Sequence, residues 1–236
     1  MRIVLLRHGE TDRNAEDRFQ AQADIPLNET GVRQAQEVAR SLRLAKWAAV
    51  YSSPLARAAQ TAAYAAGRLG VPHLRVDGLR ERHLGTLDGQ DRAEFARRHP
   101  GTLRRLLTDP DYAPPGGESG RAARSRFCAA LRDITEAGCD RGAPPALVVT
   151  HGGVLNLLTR ALTPSVAAPD VLVGTCGAVC LDTEWAAEGR PRAALRWWNV
   201  APQECEKPPD PAHPFPFVDF DDLITDDLTA KEVTRA

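Results

Sequence analysis

Two apolar runs in this chain stop abruptly at a histidine followed by a glycine. They are Ile3-Val4-Leu5-Leu6-Arg7-His8-Gly9 and Ala146-Leu147-Val148-Val149-Thr150-His151-Gly152. Short continuous apolar runs read as strands buried on both faces, the environment that a parallel sheet between helices provides. Parallel strands of one sheet bring both polar tips to the same edge, and ligands of open α/β sheets bind at the carboxyl ends of the strands. Glycine after each histidine permits a sharp turn and lets backbone amides approach an oxyanion. A helix is expected from Val154 to about Leu162, so its amino end adds N–H donors at the same place. Arg7 contributes a fixed cation whose planar fork of donors suits phosphate. His8 titrates near neutrality and can serve as a nucleophile or a proton carrier.

The intervening sequence alternates helical and strand signals, which implies an α/β fold. A polar loop from Thr11 to Leu27 follows the first strand. Asn28 is a good N-cap, and Val32, Ala35, Val38, Ala39 and Leu42 carry helical spacing in a segment running from Gly31 to about Trp47. Ala48 to Tyr51 reads as a second strand. Ser53-Pro54 predicts a helix with serine as N-cap and proline at the first helical position, continuing from Leu55 to about Leu69. Arg57 then falls in the first turn, where a cation is disfavoured by the helix dipole unless an anion lies nearby. His73 to Val76 is a candidate third strand, and Arg92 to Leu107 a charged helical insertion. A helix after Ser119 carries Ala122, Ala123, Phe127, Ala130, Leu131 and Ile134, and two late strands are expected near Ala178–Thr183 and Ala193–Asn199. The expected architecture is a three-layer sandwich, a central mostly parallel sheet flanked by helices.

Hydrophobic residues make up 43% of the 236 positions, enough for a sizeable core, and the net charge of -1 gives no reason to expect nucleic acid or an anionic membrane as partner. Five cysteines without a C-x-x-C pair suit free thiols in a reducing compartment. No apolar run approaches the roughly 20 residues of a membrane helix. The sequence opens directly on its first strand, leaving no room for a leader peptide, so a cytoplasmic location is expected. After Glu206 the chain changes character: prolines punctuate it and acids then dominate. Residues 207–236 therefore read as a tail draped over a 1–206 domain or partly disordered; Phe215, Phe217, Phe220 and Leu223 are candidate anchors, but a mobile tail without function is the preferred reading.

The motifs together resemble the histidine phosphatase superfamily, the phosphoglycerate-mutase-like enzymes. Arg7-His8-Gly9-Glu10-Thr11 with Asn14, Pro26-Leu27, Gly31 and Gln34-Ala35 is similar to its signature. Ser52-Ser53-Pro54-Leu55-Ala56-Arg57-Ala58-Ala59-Gln60-Thr61-Ala62 is similar to its second motif, and Leu79-Arg80-Glu81 with Gly85 and Gly89 to its third. Pro115-Gly116-Gly117-Glu118-Ser119 and Val149-Thr150-His151-Gly152-Gly153 complete the order. The resemblance implies His8 as the nucleophile that carries the phosphoryl group, and Glu81 as the proton donor and acceptor. It implies Arg7, Asn14, Arg57 and His151 around the transferring oxygens, with Gln20, Ala21 and Gly152 also on the substrate. Glu10, Glu94 and Glu118 remain alternatives for the acid. No metal or other cofactor is implied, since phosphoryl transfer rests on positioning and charge stabilisation that arginines can supply.

Within the family, the Pro115–Ser119 loop leans towards phosphatases of small phosphorylated metabolites such as sugar phosphates or bisphosphates. A bisphosphoglycerate-dependent mutase is the alternative, with Arg97-Arg98 or Arg104-Arg105 imitating its carboxylate-binding arginine pair. Leu84 stands where mutases generally have an aromatic residue, and Ala21 where many relatives have glycine. A catalytically inactive binding relative is the third reading. Specificity is expected in the insertion from about Thr86 to Gly120. The sequence leaves the oligomeric state open, a homodimer being one option.

Overall fold

The computed structural model describes residues 1–42, 47–138, 143–163, 173–186, 188–206 and 216–225. Its first strand, β1 (Arg2–Arg7), pairs in parallel with β4 (Ala146–Thr150), and β4 in turn with β2 (Val50–Ser52) and β2 with β3 (His73–Arg75). On the other side of β1 run β5 (Ala178–Trp185), β6 (Pro191–Val200) and β7 (Val218–Asp219), all antiparallel to their neighbours. The order β3-β2-β4-β1-β5-β6-β7 makes a mixed seven-stranded sheet with a parallel half. That half carries both histidine tips.

Alternation along β1 and β4 divides the core between two helical layers, because successive strand residues point to opposite faces. Ile3, Leu5, Ala146 and Val148 pack with Phe127 and Leu131 of α6 (Gly120–Ala137) and Leu155 and Leu158 of α7 (Gly152–Leu162). Val4, Leu6, Leu147 and Val149 face Val38 of α2 (Glu29–Ser41) and Ala58, Ala62 and Ala65 of α3 (Ala56–Leu69). The small alanine face of α3 lets this helix lie close to the sheet. A third, smaller cluster of Phe19, Leu87, Phe95 and Leu106 holds the insertion against the domain.

Several local expectations need correction. Helix α3 begins at Ala56 rather than directly after Ser53: Leu55 keeps an extended backbone (φ -62°, ψ 136°), and the Ser53 hydroxyl accepts its N–H in a turn. The insertion is two helices, α4 (Arg92–Arg98) and α5 (Pro100–Thr108), since Pro100 cannot continue a helix but starts one well. The loop after β1 contains a one-turn helix, α1 (Asp12–Ala15), closed by a reciprocal Thr11–Asn14 capping box.

Of the segment after Glu206, residues 216–225 are described. β7 pairs with Arg192 and Ala193 of β6, and α8 (Phe220–Thr225) packs on α6 with Phe220 and Leu223 fully buried. Phe217 lies beneath the guanidinium groups of Arg192 and Arg196. Phe215 and the prolines from Pro208 to Pro214 lie outside the described residues, as does Cys139. Among the described residues, no helix is long and apolar enough to cross a membrane.

Candidate active site

The register of β1 with β4 sets Arg7 opposite Thr150, so His8 and His151 leave the sheet side by side. The His8 N–H donates to Thr150 O at 3.0 Å, and the two imidazole rings meet edge to face with centroids 5.1 Å apart. Gly9 and Gly31 touch backbone to backbone: a Cβ on Gly9 would lie 2.6 Å from Gly31 O. This close approach explains the glycine after His8.

Hydrogen bonds fix the state of the His8 ring. Its Nδ1 lies 2.6 Å from Gly9 O, and because a carbonyl only accepts, Nδ1 carries the proton. Nε2 is thereby left with its lone pair, which accepts from Arg57 Nε at 3.1 Å. Burial, reinforced by the positive charges of Arg57 and Arg7, holds His8 well below the usual imidazole range, so it is neutral near pH 7. The same burial, with Arg57, His8 and Arg7 nearby, depresses His151.

Arg57 is fully buried in the first turn of α3. Besides His8, it donates to Ala23 O and Ala21 O, both at 2.8 Å. Those carbonyls answer the question raised by a cation at a helix start. Burial pushes its guanidinium down to about 10, still cationic at neutral pH. Arg7 donates to Val173 O at 2.6 Å, with Gly152 packed against its guanidinium. Among the described residues, Arg7 Nε and both ring nitrogens of His151 are buried without a hydrogen-bond partner. Such orphaned polar groups are rare in folded proteins, and a bound oxyanion would accept from Arg7 Nε and from the one ring N–H of a neutral His151.

One cavity gathers Arg7, His8, Asn14, Gln20, Ala21, Arg57, Glu81 and Gly152. His151 stands behind this wall against His8, completely buried, and does not line the cavity itself. Among the described residues, Glu81 is the one carboxylate that lines it. Its oxygens accept from the N–H groups of Gly153 (2.8 Å), Val154 (3.0 Å) and Arg82 (2.7 Å). The amino end of α7, expected to aim its donors at an anion from outside, is therefore capped largely by Glu81. The other candidate acids lie elsewhere: Glu10 accepts from Asn28, Glu94 pairs with Arg98, and Glu118 with Arg126.

The outer cavity adds an apolar wall, including Leu84, Leu106, Leu107 and Leu157, and a rim with Arg18, Arg92, Asn156 and Arg160. Neither arginine pair suggested as a carboxylate clamp lines it. Arg98 is drawn to Glu94, while Arg105 lies over the Tyr112 ring. Sequence reasoning missed Arg82, a buried tie that donates to Glu118 O, Leu106 O and Tyr112 O and fastens the insertion over the site. Asn156 and Arg160 were missed too, although their four-residue separation puts both on one face of α7.

Comparison with known proteins identifies the family. The family model described as histidine phosphatase superfamily (branch 1) matches residues 3–200. A glucosyl-3-phosphoglycerate phosphatase of Mycobacterium tuberculosis (strain ATCC 25618 / H37Rv) is 36% identical over 215 residues, covering 86% of this chain and 96% of its own length. A metal-independent phosphoserine phosphatase of Arabidopsis thaliana is 36% identical over 188 residues, 78% of each chain. A mycobacterial glucosyl-3-phosphoglycerate phosphatase solved in complex with VO3 superposes with a TM-score of 0.74 at 30% identity, over 85% of this chain and 99% of that one.

Proposed function

The chain belongs to the histidine phosphatase superfamily, and on that premise we propose a phosphomonoesterase that passes the phosphoryl group of small phosphorylated metabolites through His8 to water. The observation that carries this reading is the His8 Nε2 lone pair, held neutral and directed at a buried arginine. In the first step Nε2 attacks phosphorus, the bond to the leaving oxygen breaks, and Glu81 supplies the proton that oxygen needs. In the second, Glu81 takes a proton from water as it attacks the phosphohistidine, releasing phosphate and restoring the free ring. As the phosphoryl group arrives, Arg57 Nε exchanges the His8 lone pair for a phosphoryl oxygen. Arg7 and Asn14 take up the others, and His151 gains the anionic partner its ring lacks. Charge stabilisation of this kind, fixed before the reaction, supplies most of the catalysis in phosphoryl transfer.

The relatives named above act on phosphorylated carboxylic acids, and the guanidinium groups of Arg18, Arg92 and Arg160 stand on the cavity rim, the first two paired with Glu16 and Asp17 and the third donating to Leu107 O. The likeness to those relatives favours substrates with a second anionic group, such as phosphorylated acids or sugar bisphosphates. The free thiols of Cys128, Cys176, Cys180 and Cys205 suit the cytoplasm, where such metabolites occur. Phosphate release from a panel of sugar phosphates, bisphosphates, phosphoserine and phosphoglycerates tests the assignment, with His8→Ala as control. Unchanged release by His8→Ala, or bisphosphoglycerate-dependent isomerisation without net phosphate, overturns it.

A further inference from the structure

Each backbone carbonyl from Gly78 to Glu81 is taken up by a side chain from another part of the chain. Arg126, in the middle of α6, supplies most of these bonds. Its Nη1 donates to Gly78 O at 2.8 Å and Arg80 O at 3.0 Å, and its Nη2 to Glu81 O at 3.3 Å. Thr150 Oγ1 donates to Leu79 O at 2.9 Å, and Gln22 Nε2 to Glu81 O at 2.8 Å. Arg126 is itself braced by Glu118, 2.7 Å away. The same Glu118 oxygen accepts the His83 N–H at 2.8 Å, and the Glu118 N–H donates back to His83 O at 2.9 Å. Gly78 lets the segment settle onto α6, since a Cβ there would come within 2.7 Å of the Ala130 Cβ.

The Glu81 carboxylate is fixed separately, by the amides that open α7. Its main chain is thus held from α6 and its head from α7, so the side chain has little freedom between them. We propose that Arg126, braced by Glu118, is the positioning residue that sets the reach of Glu81 into the cavity. The proposal rests on Glu81 being the general acid. Arg126 does not line the cavity, so it reaches Glu81 through the Gly78–Glu81 backbone; its charge also helps to depress His151, an effect shared by both esters in the comparison below. A planar fork is suited to several carbonyls at once, and a lysine ammonium reproduces only part of that pattern.

General-acid assistance matters most for a poor leaving group, which separates this role from general support of the fold. Phenyl phosphate and 4-nitrophenyl phosphate have nearly the same shape, but phenolate leaves far less readily than 4-nitrophenolate. Arg126→Met is expected to lower kcat/KM for phenyl phosphate about tenfold more than for 4-nitrophenyl phosphate, a fraction of the whole worth of a general acid. Glu81→Gln should move the ratio further in the same direction, and Arg126→Lys should restore part of it. If Glu81→Gln moves the ratio and Arg126→Met lowers both esters equally or neither, the positioning role is overturned while Glu81 stands. If Glu81→Gln leaves the ratio unchanged, the acid assignment fails and the role of Arg126 falls with it. Should Arg126→Met not fold, Glu118→Gln, which keeps an acceptor oxygen but removes the charge that braces Arg126, carries the same comparison: a smaller shift supports the role, and an unchanged ratio overturns it.

Discussion

The carboxylate of Glu81 occupies the space that a side chain on Gly153 would need. A Cβ built on Gly153 collides with Glu81 Oε1, while the Gly153 N–H holds Oε2 at 2.8 Å. Gly153→Ala should therefore displace the acid from its position in the cavity wall. A displacement of about 1 Å at a reacting group costs on the order of 10²-fold, so kcat/KM on phenyl phosphate should fall by that much, with a smaller fall on 4-nitrophenyl phosphate. The same displacement loosens the bonds from the Gly153 and Val154 N–H groups that cap α7, so the melting temperature should fall as well. Steady-state kinetics and thermal melts on one preparation check both halves. Equal losses on the two esters would contradict the account.

Arg57→Lys should give the opposite signature. Arg57 satisfies Ala21 O, Ala23 O and His8 Nε2 together, and a lysine offers a single ammonium at the end of a flexible stem. Its loss weakens charge stabilisation that every ester requires, so kcat/KM should drop roughly 10²-fold or more on both aryl phosphates alike. A drop that depends on the leaving group would place Arg57 with the proton transfer instead.

The strand tips were legible because apolar runs ending in His-Gly specify both a buried strand and a turn. The β1–β4 register that joins them is seen only in the structure, because strands buried on both faces are not fixed in register by their apolar pattern. Arg57 was legible from its awkward place at a helix start. The hidden part is whatever depends on rotation about a helix axis or on long-range backbone contact. Arg126 looks like any solvated arginine on an amphipathic helix until α6 is packed against Gly78. Likewise, nothing in Val149–Gly153 reveals that the helix amides are spent on Glu81, far earlier in the chain. The Ser-Pro signal misplaced the start of α3 because a serine hydroxyl caps a turn as readily as a helix.

The segment 216–225 lies beyond the family match, which ends at residue 200, yet it is built into the domain. Phe220 is fully buried against α6, Arg124 Nε donates to Leu223 O at 3.2 Å, and Arg132 reaches Asp221 at 3.1 Å. Phe220→Ala should cost about 3 kcal/mol, or less if the segment undocks before the rest unfolds. The melting temperature should fall by several degrees, with early proteolytic cleavage after residue 216. Because none of these contacts touches the cavity, phosphate release at 25 °C should stay within about twofold of the parent, a surface-like effect on chemistry. A selective loss of activity without loss of stability would instead tie the segment to catalysis.

The buried histidine pair ties both stability and activity to pH. His8 and His151 are both held below the ordinary imidazole value of 6.5, first by burial and then by the surrounding arginines. In the unfolded chain they protonate as pH falls through about 6.5, while in the folded protein they stay neutral to lower pH. The unfolded state thus binds more protons in that window, so stability present above pH 6.5 is lost as pH falls towards the depressed values. Thermal melts from pH 7.5 to 5 should decline, and replacing either ring, as in His8→Ala, should flatten the decline. Attack on phosphorus needs the neutral ring, so the acidic limb of kcat/KM should lie below 6.5 rather than at it. A bound anion reverses the penalty on a charged imidazole, so inorganic phosphate should raise the melting temperature more at pH 5.5 than at pH 7.5. A phosphate effect that is larger at the higher pH would show that the anion does not sit against these histidines.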